Sequence, residues 1–320
     1  MKRTKIGETG LEVTGLSFGT SALGSMPDTY GYGVSEEQAM ETLLAFFKGP
    51  ANMLDTSRNY GMGRSEERIG AALKELGGWP KEYVLSTKLD RDMETGRFDA
   101  ARARASIEES LEALGMDSVQ ILHLHDPEHS RDLNEISGKG GALEELFKMK
   151  EEGLVKAVGL AMGKVDMMFP LLKDWPFDVM INHNRYTLLN RSADEMFTWA
   201  HKAGIKIFNA APFAGGILAK GSSATNRVAY METDDDGLAP VRKFEEICGR
   251  HGVTPGAAAL QFSMNDPRIA STIVGVSRPE SMTRNLAWAE EAISKDFWDE
   301  LDDLPVSMED PEANRVYKPG

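Results

Sequence analysis

Four residues with complementary chemistry fall at matching places in the chain. Asp55 closes the apolar run Asn52-Met53-Leu54-Asp55, Lys88 closes Val84-Leu85-Ser86-Thr87-Lys88, His125 closes Leu122-His123-Leu124-His125, and Tyr60 lies just beyond the first of these, in Thr56-Ser57-Arg58-Asn59-Tyr60-Gly61. A carboxylate can hold an ammonium, and an ammonium beside a phenol lowers the phenol pKa from about 10 by one to three units. A tyrosine tuned in this way exchanges protons near neutral pH. Asp55, Lys88 or His125 alone reads equally well as half of a structural ion pair. Their conjunction at the ends of successive runs is what points to a proton-transfer site.

His123 and His125 flank Leu124, and the period-two alternation of a strand turns both imidazoles to one face. Zinc would need further ligands there, and only His183 and scattered carboxylates are on offer. His123 therefore reads as a core histidine one layer below His125, and no metal is expected. No Gly-x-Gly-x-x-Gly follows the first strand. Gly159-Leu160-Ala161-Met162-Gly163-Lys164 is one residue short of a phosphate loop and continues with Val165, so it reads as a strand turning into a helix.

The elements that must carry these residues alternate. Strand-like runs occur at Leu16–Gly19, Asn52–Asp55, Tyr83–Thr87, Ser118–Leu124, Val155–Leu160, Phe177–Asn182, Ile205–Phe208 and Ile269–Val274. Helical periodicity occupies Glu36–Phe47, Ser65–Leu76, Asp99–Leu114, Ala142–Glu151, Ala193–Lys202 and Pro240–Arg250. Eight such units with short connections predict an α/β fold, a single (β/α)8 TIM barrel domain over residues 1–320. Lys5–Val13 alternates around a Gly turn and predicts a β-hairpin under the barrel floor. His129–Gly141 and Lys220–Ala239 read as long loops on the C-terminal face, with Asp234-Asp235-Asp236 as a solvated tip.

Composition limits the partners. Of 320 residues, 41% are hydrophobic and 27% charged, which suits a folded chain. With 36 Lys and Arg against 50 Asp and Glu, the net charge of −14 disfavours nucleic acid and anionic membrane surfaces and favours a small neutral substrate. Cys248 stands alone, no apolar leader follows Met1, and no apolar stretch is long enough to span a bilayer, so a cytoplasmic protein is expected. The sequence specifies no oligomeric state.

Several segments in order carry a resemblance to the aldo-keto reductase superfamily. They are Leu16-Ser17-Phe18-Gly19-Thr20, Leu54-Asp55-Thr56-Ser57 with Tyr60-Gly61 and Arg64-Ser65-Glu66, Ser86-Thr87-Lys88, Leu122-His123-Leu124-His125, Pro212-Phe213 with Gly216-Ile217-Leu218, and Asn285-Leu286. His125-Asp126-Pro127, Arg185-Tyr186-Thr187-Leu188-Leu189, and His251-Gly252-Val253 leading to Ala257–Phe262 are similar to the aldose 1-dehydrogenase branch, which acts on L-fucose, D-threo-aldoses and D-galactose-like sugars and stands near pyridoxal 4-dehydrogenase. The resemblance implies a nicotinamide dinucleotide bound without a Rossmann fold. It makes Tyr60 the general acid/base, Lys88 its pKa-lowering neighbour, Asp55 the holder of Lys88, and His125 the group that orients the reacting oxygen. It also places Gly19, Thr20 and Ser21 near the nicotinamide ribose, Pro212, Phe213, Gly215, Gly216 and Leu218 over the pyrophosphate, and Gly275, Ser277, Ser281 and Asn285 at the adenosine end.

The chain departs from that pattern in places. Ala161-Met162 stand where most members carry Ser-Asn for the carboxamide, Ala210 where many carry a stacking tyrosine, and His183 where a glutamine is common. Gly275 and Ser281 replace the lysine and arginine of NADP-dependent relatives, which favours NAD, with Arg278 and Arg284 as the residues through which NADP would bind instead. The resemblance implies oxidation of an aldose at its anomeric carbon, with Asp126 and Arg185 of the shared motifs available to bond its hydroxyls, while Tyr30 and Tyr32 after the first strand and Tyr186 after the sixth are expected at the pocket by their position. Alternatives are a pyridoxal 4-dehydrogenase or general aldehyde reductase. More distant ones are a metal-dependent barrel hydrolase and a silent dinucleotide-sensing subunit like potassium-channel β subunits, against which the intact set of four residues argues.

Overall fold

The computed structural model describes residues 1–315. Eight parallel strands close into a barrel in chain order: β1 (Leu16–Gly19), β2 (Met53–Asp55), β3 (Val84–Leu89), β4 (Val119–His125), β5 (Val155–Ala161), β6 (Val179–His183), β7 (Lys206–Ala210) and β8 (Ile269–Gly275), with β8 pairing both β7 and β1. All eight fall where the apolar runs predict them. Strand β4 extends one residue further than predicted, so His125 stands on the strand itself.

Strand-flanking helices are α1 (Glu36–Phe46), α2 (Arg64–Leu76), α3 (Ala100–Leu114), α4 (Ala142–Glu151), α5 (Val165–Asp174), α6 (Asp194–Lys202), α7 (Asp235–His251), α8 (Pro255–Met264), α9 (Pro279–Glu290) and α10 (Lys295–Leu301). Four of them, α5, α8, α9 and α10, are not predicted from periodicity. In α8 the run from Gly256 to Gln261 is buried all round, so no polar face marks the helix. Helix α7 begins five residues before the predicted Pro240. The side chain of Asp234 caps it by accepting from Gly237 N at 3.0 Å, and Asp235 and Asp236 fill its first turn, where carboxylates oppose the helix dipole. The three aspartates are therefore a helix start, not a loop tip.

The predicted hairpin pairs Arg3–Ile6 with Leu11–Thr14. Its Ile6, Leu11 and Val13 pack under the barrel against Met53, Val84, Ile121, Ala157 and Val179, closing the floor with apolar surface. The C-terminal ends of the eight parallel strands form the opposite end, the mouth. There the segment after β4 forms short turns at Pro127–His129 and Asn134–Ser137, and the segment after β7 folds into a small hairpin, Arg227–Val228 with Met231–Glu232. Among the described residues, no helix is long and apolar enough to cross a membrane.

Candidate active site

The structure brings Asp55, Lys88, Tyr60 and His125 together at the tops of β2, β3 and β4. Lys88 Nζ reaches Asp55 Oδ1 and Oδ2 at 3.0 and 2.9 Å, the carbonyl of Thr56 at 2.5 Å and the phenolic oxygen of Tyr60 at 3.1 Å. Lys88 is 2% exposed, so this charge is matched by the Asp55 carboxylate rather than by water. The Tyr60 and His125 rings meet edge to face at 5.9 Å. Below them Ser86 Oγ donates to Asp55 Oδ1 at 3.0 Å and lies 3.1 Å from His123 Nε2, which places His123 one layer down, as its spacing predicts. Among the described residues, no three His, Cys, Asp or Glu side chains stand where they could hold a metal ion.

Backbone crowding places Tyr60. Gly61 has φ +62°, and a Cβ there would fall 2.0 Å from the carbonyl oxygen of Gly24; a Cβ on Gly24 would fall 2.7 Å from that of Tyr60. The loops after β1 and β2 thus touch backbone to backbone, which only glycine permits. Arg64 Nε donates to Gly24 O at 2.8 Å and locks the crossing.

The charge state of Tyr60 differs from the sequence prediction. Burial pushes its phenol well above 10, and Asp55, Tyr30, Asp126 and Asp90 push the same way. The rise stands although Lys88 Nζ lies 3.1 Å away, since the Asp55 carboxylate holds that ammonium at 2.9 Å. Tyr60 is therefore a protonated phenol at neutral pH. Burial lowers the pKa of His125, but Asp126 and Asp90 outweigh it and raise the imidazole above its usual value. His123, buried and beside Lys88, is held well below its usual value and stays neutral.

Asp90 was not predicted from the sequence. It follows β3 directly and lies 2.6 Å from His125 Nδ1. Its parity was the available signal, since Ser86, Lys88 and Asp90 alternate onto one face. Asp126 Oδ2 stands 3.7 Å from His125 Nε2, on a backbone held at φ +42°, a conformation that a non-glycine residue adopts only where its surroundings enforce it.

The opposite wall differs from the prediction. Arg185 is 2% exposed, with its guanidinium bound to Glu312 at 2.7 Å and Asp310 at 2.5 Å, so it does not reach open space. His183 Nδ1 lies 3.0 Å from the same Glu312. Burial favours protonation of Glu312, but His183, Arg185 and Arg315 together hold it far below the carboxylate range. Tyr186 faces away from the mouth, its hydroxyl donating to Asp266 at 2.6 Å and its ring packed against Phe197 and Phe262. Of the two tyrosines after β1, Tyr30 donates to Ser21 Oγ at 2.8 Å, and Tyr32, 41% exposed, packs against the Tyr30 ring at 5.9 Å. Arg315 lies over the Tyr230 ring at 4.6 Å.

At the tops of β8 and β1, Gly275 pairs with Gly19. Gly215 and Gly216 carry positive φ in the turn after β7, and Phe213 packs edge-on against Trp288 of α9. Space around Gly275 is open, and the side-chain oxygen of Asn285 is buried without a hydrogen-bond partner. An exposed glycine surface ending at an unsatisfied amide suits an extended ligand with hydrogen-bonding groups, as a dinucleotide is. Thr20 is not available to it, because its hydroxyl donates to Asp55 O at 3.0 Å and accepts from Ser65 Oγ at 2.8 Å.

The sequence model of the Aldo/keto reductase family matches residues 15–305. A D-threo-aldose 1-dehydrogenase from Pseudomonas sp is 31% identical, the match covering 91% of this chain and 94% of that protein. An L-galactose dehydrogenase from Arabidopsis thaliana is 32% identical over 88% of this chain and 86% of its own length. Among solved structures, an aldo-keto reductase from Bacillus halodurans in its holo form superposes with a TM-score of 0.79 at 21% identity, covering 99% of this chain and all of that one.

Proposed function

The chain belongs to the aldo/keto reductase family, and from that premise we propose that it oxidises the anomeric carbon of a neutral aldose to the lactone, with NAD as the preferred cofactor. The observation that supports this most strongly is the phenol of Tyr60, 3.1 Å from an ammonium that a buried carboxylate holds, beside an imidazole at the same mouth. A nicotinamide dinucleotide held along Gly19, Gly215, Gly216 and Gly275–Asn285 would supply the acceptor for the C1 hydride. Tyr60 exchanges the proton of the C1 hydroxyl, Lys88 and Asp55 fix the phenol, and His125 Nε2 holds the reacting oxygen in line. Because the resting phenol is protonated, oxidation requires its proton to leave first, and its rate should rise toward alkaline pH. Carbonyl reduction finds the donor already in place.

Carboxylates shape the choice of substrate. Asp126 at the mouth accepts sugar hydroxyls and disfavours phosphorylated or acidic aldehydes. The resemblance in His125-Asp126-Pro127 and the aldose relatives support the same class. For the cofactor, Gly275–Ser277, Ser281 and Asn285 form the adenosine end, while Arg278 is exposed and Arg284 is drawn onto Trp288 at 4.9 Å. No cation is therefore fixed in place for a 2′-phosphate. His183, with Nδ1 on Glu312, is the residue left to meet the carboxamide, since Ala161 and Met162 offer no polar side chain.

The test is turnover of L-fucose, D-galactose, D-glucose and pyridoxal with NAD and NADP separately. L-fucose and D-galactose should exceed D-glucose, the C4 epimer of D-galactose, by at least about tenfold in kcat/KM, with NAD ahead of NADP. Inert aldoses beside rapid pyridoxal oxidation would overturn the sugar assignment and leave the proton-transfer chemistry standing.

A further inference from the structure

We propose that Asp90 is the positioning residue of this site: its carboxylate fixes the His125 ring so that Nδ1 carries a proton and Nε2 is the nitrogen presented to the reacting oxygen. The inference rests on the reading of His125 as the group that holds that oxygen.

Geometry carries it. Pairing of Lys88 with His123 and Leu89 with Leu124 brings Asp90, the next residue, level with His125. Asp90 Oδ1 lies 2.6 Å from Nδ1, while Oδ2 accepts from Ser57 Oγ at 2.6 Å and from Asn59 N at 2.9 Å. The Asp90 backbone is tied as well, its N–H donating to Ser106 Oγ at 2.9 Å and its carbonyl accepting from Arg102 Nε at 3.1 Å. With both its backbone and its second oxygen restrained, the carboxylate has one direction left, toward the ring.

Chemistry gives the restraint its purpose. The side chain of Asp90 is 3% exposed, and a buried carboxylate is costly unless a cation or several donors compensate. Burial favours its protonation, but His125, Ser57 and Asn59 outweigh that and keep the acid ionised. An ionised carboxylate accepts only, so Nδ1 must donate, and the tautomer with a bare Nδ1 is excluded. Nε2 is then the variable nitrogen, a donor when the ring is charged and an acceptor when it is neutral. The groups that face this ring are Asp90 and Ser57 at Nδ1, Asp126 at Nε2, Tyr60 from the loop after β2, Lys88 from β3, His123 below, and His129 in the following turn. The carboxylates favour the charged ring, and Lys88 opposes it.

The experiment is a ¹⁵N and ¹³C imidazole NMR titration of the full chain without dinucleotide, for wild type, Asp90→Asn and Asp90→Ala, paired with kinetics on the best substrate of the panel. In wild type, Nδ1 should read as protonated throughout. In Asp90→Asn the His125 midpoint should fall by about one pH unit or more, and in Asp90→Ala the neutral ring should also move its proton to Nε2. Both variants should lose at least about tenfold in kcat with dinucleotide Kd unchanged, a split that general loosening of the fold would not produce. If Asp90→Ala fails to fold, Asp90→Asn alone decides. A wild-type His125 midpoint in Asp90→Asn, or wild-type kcat there, overturns the proposal. Failure of every aldose and aldehyde in the wild-type assay would instead overturn the functional reading, and the NMR arm would still report on Asp90.

Discussion

Two walls of one barrel mouth are built on different plans. The wall of β2, β3 and β4 carries Asp55, Lys88 and His125 on neighbouring strands and Asp90 directly after β3, so residues within a step or two in register supply each partner. The wall of β5, β6 and β7 presents Ala161, Met162 and Ala210 at the matching ends, and its polar residues His183 and Arg185 are bound by Asp310 and Glu312 from the far end of the chain. That terminal segment is clamped onto the loop after β6, with Ser307 N donating to Leu189 O and Arg191 N donating to Ser307 O, both at 2.9 Å. The first wall is thus rigid through the sheet itself. The second depends on a strap that long-range ion pairs hold in place.

The largest effect should come from the first wall. Tyr60→Phe removes the proton-exchanging group and leaves the ring, and kcat should fall by about three orders of magnitude or more with dinucleotide Kd nearly unchanged. Turnover near wild type would remove Tyr60 from the mechanism and with it the contrast between the walls.

A middling effect should come from the strap. Glu312→Ala strips the buried partner from Arg185 and His183, and removing one member of a buried pair costs about 3 kcal/mol. Released locally, that energy should raise amide exchange at Ser307 and Arg191 by about a hundredfold while the barrel strands stay protected. In wild type the same segment should loosen in acid. The Glu312 carboxyl is depressed in the folded state, so its stabilisation is complete above about pH 4.5 and declines as pH falls below that value. Exchange at Ser307 that ignores both the substitution and acid would show that the strap is held by other contacts.

The smallest effect lies behind the first wall. Glu66 of α2 is buried, and burial pushes its carboxyl up to about 7 against the hydrogen bonds from Thr87 and Ser110 and the Arg58 cation. A raised carboxyl favours the fold below pH 4.5, and that contribution is lost as pH rises through 7. Glu66→Gln should therefore gain about 1 kcal/mol on wild type at pH 8 and nothing at pH 4, measured by denaturant unfolding. Equal gains at both values would mean that repacking, rather than proton uptake, controls this position.

Legibility in the sequence followed the same division. Barrel strands and the Asp55, Lys88 and His125 positions were readable because strand periodicity is local, and residues that end successive strands must meet at one rim. Tyr60-Gly61 was readable as a motif, while the crossing with Gly24 that requires the glycine was not. The start of α7 was hidden because three aspartates suit a loop tip as well as a first turn, and α8 because a helix buried nearly all round has no polar stripe. Arg185 and Tyr186 carried a recognisable pattern, but the pattern does not say which way a side chain turns.

Sequence alone determined the eightfold alternation, the plugged floor and the set of groups able to move a proton at the rim, since each follows from spacing over a few residues. Tertiary structure decided how those groups are charged and which of them are free. Desolvation at Tyr60 outweighs the help of Lys88, because Lys88 is already matched by Asp55. Asp90 acquires its partner only when β3 and β4 are set in register. Arg185 is withdrawn from the mouth by Glu312, 127 residues along the chain. Burial and long-range charge pairing are properties of the closed fold, and no local window of the sequence contains them.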